Sequence, residues 1–580
     1  MRSLLSGDEA VARGAWEAGC RVAAAYPGTP STEILEAVAQ YKKDIYCEWS
    51  TNEKVALEVC LGASLAGARA LYVSKHVGVN VAADPLFSAA YIGTRGGLVI
   101  VTADDPGLHS SQNEQDNRFY GVSAKVPVLC PSDSSECKEF TKLAFEISEE
   151  FGIPVIVRLT TRTAHAKGIV TLGERKEIEI KRYVKDVKKT LMLPTFAKLR
   201  HYSLEERLEK LKDYSNKTPI NREEEGKEEF GIIADGVAYY YAKEAFPSAW
   251  FLKLGMVYPF PDERVRRFAS KVKKLYVVEE VDPFIEMQVK ALGIDVIGKE
   301  RIPKVDELSP EKVYYAITQE KKDALQIPEI PKRPPVLCPG CGYRTVFHIL
   351  SKLKVIVSGD IGCYTLGGLP PLNAMDTCVD MGASITVGHG IEKVLKNTDD
   401  NRKVVAIIGD STFFHSGITG LIDVVYNKGK TTVIILDNRI TAMTGHQDHP
   451  GTGKTLMGEE TKEIKIEEIC RAAGVEHVET VDPYDYNSTK KAIKRAIESN
   501  EPSCIIVKRP CALYVRFSRP PYAVDEDKCI GCKICVDLGC PAISFDTEKK
   551  KASINEILCP GCSICAQVCP TEAIYEKKHN

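Results

Sequence analysis

Eight of the chain's 20 cysteines fall between Cys529 and Cys569, in two copies of one pattern offset by 30 residues. The copies read VDEDKCIGCKICVDLGCPAISFD and INEILCPGCSICAQVCPTEAIYE. The second is Cys559-x2-Cys562-x2-Cys565-x3-Cys569-Pro570, in which three closely spaced thiolates wrap three corners of a cubane and the fourth ligates a neighbouring cluster. Crossing the ligands gives one [4Fe–4S] cluster on Cys529, Cys532, Cys535 and Cys569 and a second on Cys559, Cys562, Cys565 and Cys540. Zinc sites use two separated pairs of ligands, whereas here triplets stand with a distant fourth. The first copy departs from the pattern, because four residues rather than three separate Cys535 from Cys540. The run reads as a bacterial-type 2[4Fe–4S] ferredoxin, an electron conduit.

The remaining chain has room for several further domains, with 580 residues, 44% hydrophobic and 27% charged. A net charge of −2 gives no bulk attraction for nucleic acid, and no run reaches the ~18 apolar residues of a membrane span. The N-terminus MRSLLSGDEAVARGAWEAG reads as a first amphipathic helix of a cytoplasmic protein, where clustered cysteines bind metal. Helical patterns alternate with short apolar strands such as RVAAAYPGT, ARALYVSK, GGLVIVTADDPG and GIPVIVRLT, which predicts a doubly wound α/β domain over 1–165. A charged linker or surface segment follows over 166–229, then a middle α/β domain over 230–325 and a Pro-rich boundary, IPEIPKRPPV, near residue 330. A second α/β block spans 336–515, and the ferredoxin-like tail spans 520–580.

In the 336–515 block the strand VVAIIGD ends at Gly409-Asp410-Ser411 and opens a helix. About 25 residues later a second strand, TTVIIL, ends at Asp437-Asn438. Ligands bind at the C-terminal ends of parallel strands, and a carboxylate beside an amide oxygen suits Mg²⁺. The helix N-terminus after Ser411 adds amide donors for a diphosphate. This GDS…DN pattern resembles the thiamine-diphosphate motif, with Ser411 where Gly is usual and Asp437 in place of the first Asn. The resemblance implies that Asp410, Asn438 and the carbonyl of Ile440 hold the metal. Thiamine enzymes also need a carboxylate on the aminopyrimidine. Asn52-Glu53-x2-Ala56 followed by LGASLAGARA resembles that element, which makes Glu53 the catalytic candidate and Glu58 its alternative.

YPGTPSTE (26–33), CPGCGYR (338–344), GDIGCYTLG (359–367) and the appended ferredoxin together resemble the 2-oxoacid:ferredoxin oxidoreductases, over essentially the whole chain. The domain order, with GDSTFFHSG and DNRITAMTGHQDHPGTG, is similar to the large (alpha) subunit of that family's arylpyruvate branch. The fold this implies is a pair of thiamine-binding doubly wound domains, pyrimidine-binding over 1–165 and diphosphate-binding over 336–515, flanking a transketolase C-terminal-like middle domain. The activity it implies is oxidative decarboxylation of indolepyruvate and other arylpyruvates to aryl-acetyl-CoA and CO2, with coenzyme A as co-substrate. Electrons leave singly for an external ferredoxin. A small beta subunit in a hetero-oligomer is implied as well. Thr29 becomes a substrate candidate through the YPGTPSTE loop, and His415 is a second one. Cys338, Cys341, Cys363 and Cys511 resemble the ligands of a third, proximal cluster, against the alternative of a Gly/Pro loop with buried thiols.

Other readings stay open on the residues alone. Pyruvate, 2-oxoglutarate or a branched-chain oxo-acid would suit the same chemistry, and a non-oxidative thiamine decarboxylase or a pure electron-transfer scaffold are different classes. His389 reads as structural, and His446 and His449 flank a Gly-rich loop that could close over substrate. That loop's GTGK lacks the earlier Gly of a P-loop, so nucleotide binding is not expected. The other eight cysteines (Cys20, Cys47, Cys60, Cys130, Cys137, Cys378, Cys470 and Cys504) are isolated and read as ordinary residues.

Overall fold

Runs of β-branched and aliphatic residues with no polar alternation form strands covered on both faces, and these organise the chain. In the computed structural model, which describes residues 1–321, 328, 330–331, 334–515 and 519–577, the chain divides into two units, Met1–Pro328 and Glu329–Asn580. The boundary run IPEIPKRPPV falls partly outside the described residues. No helix among the described residues is long and apolar enough to cross a membrane.

The first unit carries a seven-stranded sheet in the order Met256–Tyr258, Val128–Leu129, Val155–Thr160, Leu98–Asp104, Ala70–Lys75, Val22–Ala25, Tyr46–Trp49. All neighbours are parallel except Met256–Tyr258, which pairs antiparallel with Val128–Leu129. That edge strand comes from the sequence of the middle domain, so the two regions share a sheet. The middle domain has its own four-stranded sheet, Lys274–Val278, Phe230–Asp235, Trp250–Leu254 and Arg222–Glu224, of which the last runs antiparallel. The stretch 166–229 is more than a linker. Lys167–Thr171 pairs with Arg2–Ser6, and a helix spans Pro194–Lys217. The predicted first helix therefore begins at Gly7, after that strand, with Ser6 and Glu9 forming a capping box.

A buried ionic cluster ties the seven-stranded and four-stranded sheets of this unit together. Arg118 is fully buried and pairs with Asp116, with Glu279 at 2.7 Å and with Asp235 at 3.2 Å. Asp235 ends a middle-domain strand and Glu279 follows another, so the guanidinium plugs the C-terminal edge of that sheet. Arg158 pairs with Asp104 at 2.7 Å beside it.

The second unit holds an all-parallel six-stranded sheet in the order Thr377–Cys378, Val355–Gly359, Lys403–Gly409, Thr432–Asp437, Ser503–Lys508, His477–Val481. The cysteine-rich tail adds two small antiparallel ribbons, Tyr522–Val524 with Ile574–Glu576 and Ile543–Asp546 with Lys551–Ile554. Val346, Phe347 and Leu350 of the helix Tyr343–Leu350 share one apolar core with Leu538 and Ile564 of the tail. Burying a Leu or Ile contributes about 1.5–3 kcal/mol each.

Candidate functional site

The strand Lys403–Gly409 is buried beyond its first residue and turns at Gly409 into the helical run that begins at Asp410. Gly409 is required there, since a Cβ would sit 2.7 Å from the Tyr364 ring. Gly409 lies opposite Leu436 in the neighbouring parallel strand, so Asp410 and Asp437 emerge at adjacent strand ends. The backbone N–H of Arg439, in left-handed conformation at φ +65, donates to Asp410 Oδ2 at 2.8 Å and to Asp437 Oδ1 at 3.1 Å. Asn438 Oδ1 accepts from the Ile440 N–H at 3.2 Å, and Thr441 Oγ1 donates to Ser411 Oγ at 2.9 Å. Asp410, Ser411, Asn438 and Ile440 are therefore brought together and buried.

His449 joins them from the Gly-rich loop. Its Nδ1 accepts the Gly451 N–H at 3.1 Å, which leaves Nε2 as the protonated nitrogen, 3.1 Å from Asp410 Oδ2. The loop's histidine thus orients a predicted metal-ligating carboxylate. Burial first, and the Asp410 charge second, push the Asp437 carboxyl up to about 7. The Asp410 carboxylate and the Asn438 amide oxygen supply hard-oxygen donors that suit a divalent cation such as Mg²⁺, while Asp437 also pairs with Lys508 at 3.6 Å. Asp360, on the GDIG turn, plays a structural part instead. Its carboxylate accepts the N–H groups of Ile361, Gly382 and Ser384 at 2.8–2.9 Å and pins the start of the helix Ala383–Leu395.

Three thiol-lined cavities lie in the same unit. Cys529, Cys532, Cys535 and Cys569 line one, and Cys540, Cys559, Cys562 and Cys565 line another. Four thiols, with no imidazole or carboxylate among the described residues of either lining, make a donor set suited to iron–sulfur clusters. Burial, and then their neighbouring thiols, push Cys535 up to about 11. Backbone N–H groups around Thr571 and Ala573 outweigh burial at Cys569 and lower its pKa. A third cavity, of about 80 Å³, is lined by Cys338, Cys341, Cys363 and Cys511 and also by Asn438. The Cys511 N–H donates to the Asn438 carbonyl at 3.0 Å, so this cavity shares a wall with the GDS…DN site. Burial pushes Cys341 up to about 12 and Cys363 up to about 11.

In the first unit Glu53 is buried at the first position of the helix Glu53–Leu65, which Asn52 caps through the Val55 N–H. Gly78 makes room for its side chain, because a Cβ there would lie 2.8 Å from Glu53 Oε1. Glu58 instead pairs with Lys54 on an exposed face. Thr29 lies in the turn between Val22–Ala25 and Thr32–Val38, where its carbonyl accepts from Ser110 Oγ at 3.2 Å. His415 is buried in a π-turn, Phe413–Gly417, with Nδ1 2.8 Å from Ser416 Oγ. His389 sits 3.9 Å from Glu392 on its own helix, and His446 stacks on Tyr514 with Nε2 3.8 Å from Cys511 Sγ. Of the eight isolated cysteines, Cys378 is exposed and the rest are buried.

Sequence reasoning missed the roles of His449, Asp360 and Arg344. The last is buried and donates to the carbonyls of Leu337, Cys338 and Leu538. The Arg in CPGCGYR, six residues after Cys338, was the available signal.

Three family models match. Residues 13–204 match the thiamine-diphosphate-binding domain of pyruvate flavodoxin/ferredoxin oxidoreductase, 360–507 match the C-terminal binding domain of thiamine pyrophosphate enzymes, and 522–578 match a 4Fe–4S dicluster domain. The chain is 45% identical to the indolepyruvate oxidoreductase subunit IorA of Archaeoglobus fulgidus, covering 99% of this chain and 98% of the relative. Identity to the corresponding Thermococcus kodakarensis subunit is 44%, over 100% and 97%. A solved 2-oxoglutarate:ferredoxin oxidoreductase from Magnetococcus marinus aligns at 19% identity and a TM-score of 0.47, over 55% of this chain and 65% of that one.

Proposed function

The chain belongs to the family of the indolepyruvate oxidoreductase subunit IorA, and from that premise we propose that it carries out thiamine-dependent oxidative decarboxylation of indolepyruvate and related arylpyruvates. Coenzyme A takes the acyl group, and electrons pass to an external ferredoxin. The observation that carries the reading is the four-thiol cavity sharing Asn438 with the carboxylate site. An electron acceptor there would border the reacting centre.

Asp410, Asn438 and the Ile440 carbonyl would hold Mg²⁺ and, through it, the cofactor's diphosphate. His449 and the Arg439 N–H both donate to Asp410 Oδ2 and hold the carboxylate's orientation. Ser411 is held by Thr441 at the helix start, where backbone amides favour an anion. Glu53 would hold the proton exchanged with the aminopyrimidine, and burial keeps water from competing for it. Bound thiamine diphosphate supplies the electron sink for decarboxylation, and clusters supply one-electron acceptors. Thr29 in the first unit and His415 in the second are separate candidates for contact with the oxo-acid.

Electrons leaving the Cys338/Cys341/Cys363/Cys511 centre would next meet the cluster on Cys540, Cys559, Cys562 and Cys565. A Cβ on Gly340 would come within 2.6 Å of Pro560, which puts the two cysteine loops against each other. The Cys529/Cys532/Cys535/Cys569 cluster is then the exit, with Cys532 exposed. The relatives are named as subunits, and we read this chain as the large subunit of a hetero-oligomer with a small beta subunit. Its thiols suit the reducing cytoplasm.

The test is viologen reduction by the anaerobically reconstituted protein, with and without that small subunit, across indolepyruvate, phenylpyruvate, pyruvate and 2-oxoglutarate. Fastest reduction with the aryl acids, and acyl-CoA as product, supports the reading. Aldehyde without viologen reduction overturns it in favour of a non-oxidative decarboxylase.

A further inference from the structure

Arg344 is a buried cation whose hydrogen bonds, among the described residues, all end on backbone carbonyls. Its Nη1 donates to Leu538 at 2.9 Å, while Nη2 and Nε reach Leu337 and Cys338. A buried charge is costly unless an opposite charge lies close by. Burial pulls the Arg344 pKa down, and the groups that oppose this most are Cys540, Cys341, Cys338 and Cys562. Two of those line the cavity beside Asn438, and two line the nearer ferredoxin cavity, whose wall includes Arg344 itself.

The contact with Leu538 also gives the irregular repeat a purpose. Leu538 and Gly539 lie within the lengthened Cys535–Cys540 spacing. Gly539 adopts φ +66, and a Cβ there would stand 3.3 Å from Arg344 Nη1. The first copy, with its extra residue, is thus the one that presents a carbonyl to the arginine.

We propose that Arg344, anchored by the lengthened Cys535–Cys540 loop, is the positioning residue that supplies one shared positive charge to the Cys338/Cys341/Cys363/Cys511 centre and the Cys540/Cys559/Cys562/Cys565 centre. The inference rests on the three-cluster reading above. A fixed cation beside a cluster favours its reduced form and raises its potential. Sharing the charge poises both centres together and locks the two loops at one separation.

The test is an anaerobic redox titration, followed by EPR, of the full reconstituted chain as wild type, Arg344→Met and Arg344→Lys, with iron and sulfide counted on each. In Arg344→Met the reduced-to-oxidised ratio at fixed potential should fall about tenfold at both flanking centres, about 59 mV for a one-electron couple. The Cys529/Cys532/Cys535/Cys569 centre should stay where it is, and Arg344→Lys should recover most of the shift. Iron for three clusters with unmoved potentials, or an equal shift at all three, overturns the proposal. Iron for two clusters in the wild type overturns the three-cluster reading and the shared role with it. Should Arg344→Met fail to assemble its clusters, Arg344→Lys decides: flanking potentials near wild type support the charge role, and a loss as large as that expected for Met contradicts it.

Discussion

The molecule buries two arginines in opposite ways. In the first unit Arg118 meets the carboxylates of Asp116, Asp235 and Glu279. In the second unit Arg344 donates to carbonyls and lines a cavity with four thiols, while Asp410 and Asp437 lie at adjacent strand ends. The first cation meets its carboxylates within the polypeptide. The second ends on carbonyls and lines a thiol cavity, so the kind of group a buried cation meets marks the chemistry here better than burial does.

Removing iron should sharpen that contrast most. Structural metal centres contribute on the order of 10 kcal/mol to the fold that holds them. Chelation should therefore strip hydrogen-exchange protection from segments 338–344 and 529–569 and leave the seven-stranded sheet of the first unit unchanged. Equal loss in both units would erase the distinction. Next in size, Glu53→Gln should lower oxo-acid-dependent viologen reduction about 10²–10⁴-fold with normal iron content, as expected for a lost general acid–base group. Arg118→Met removes the guanidinium shared by Asp116, Asp235 and Glu279 and should cost the first unit about 3–5 kcal/mol, read as a lower urea midpoint, with cluster EPR spectra unaltered.

A smaller effect is pH-dependent. Burial, opposed by Arg118 at Glu279 and by Arg158 at Glu280, leaves both carboxyls at about 7 against an ordinary 4.5. The folded chain then holds protons that the unfolded chain releases, so their contribution to stability is full below about pH 4.5 and is lost as pH rises through 7. Glu280→Gln keeps an acceptor for the Leu308 N–H and should flatten the fall in urea midpoint between pH 5 and pH 8. Glu58→Gln, on its exposed face, should change activity and stability least, within about 0.5 kcal/mol.

What was legible in the sequence was local. Cysteine spacing reports which thiols can wrap one cubane, and an apolar run ending in Gly-Asp or Asp-Asn reports a strand end. The short ribbon between Arg2–Ser6 and Lys167–Thr171 was not legible, because its burial alternates too weakly to signal a partner far along the chain. Met256–Tyr258 hid for a similar reason: three residues carry no period, and the sheet they join is built from another stretch of sequence. His449 and Arg344 act across gaps of 39 and 194 residues, on Asp410 and Leu538 respectively. No spacing rule reaches that far. Glu53 and Glu58 differ by one fact the sequence withholds, which of them the helix His76–Val81 covers.

Rapid mixing of the reconstituted enzyme with indolepyruvate, without any external acceptor and freeze-quenched for EPR, shows whether the decarboxylation electrons enter the clusters. Reduced-cluster signals are expected within a single turnover, present with thiamine diphosphate and absent without it. Clusters that stay oxidised while CO2 is released, or that are reduced equally without the thiamine cofactor, would contradict that expectation.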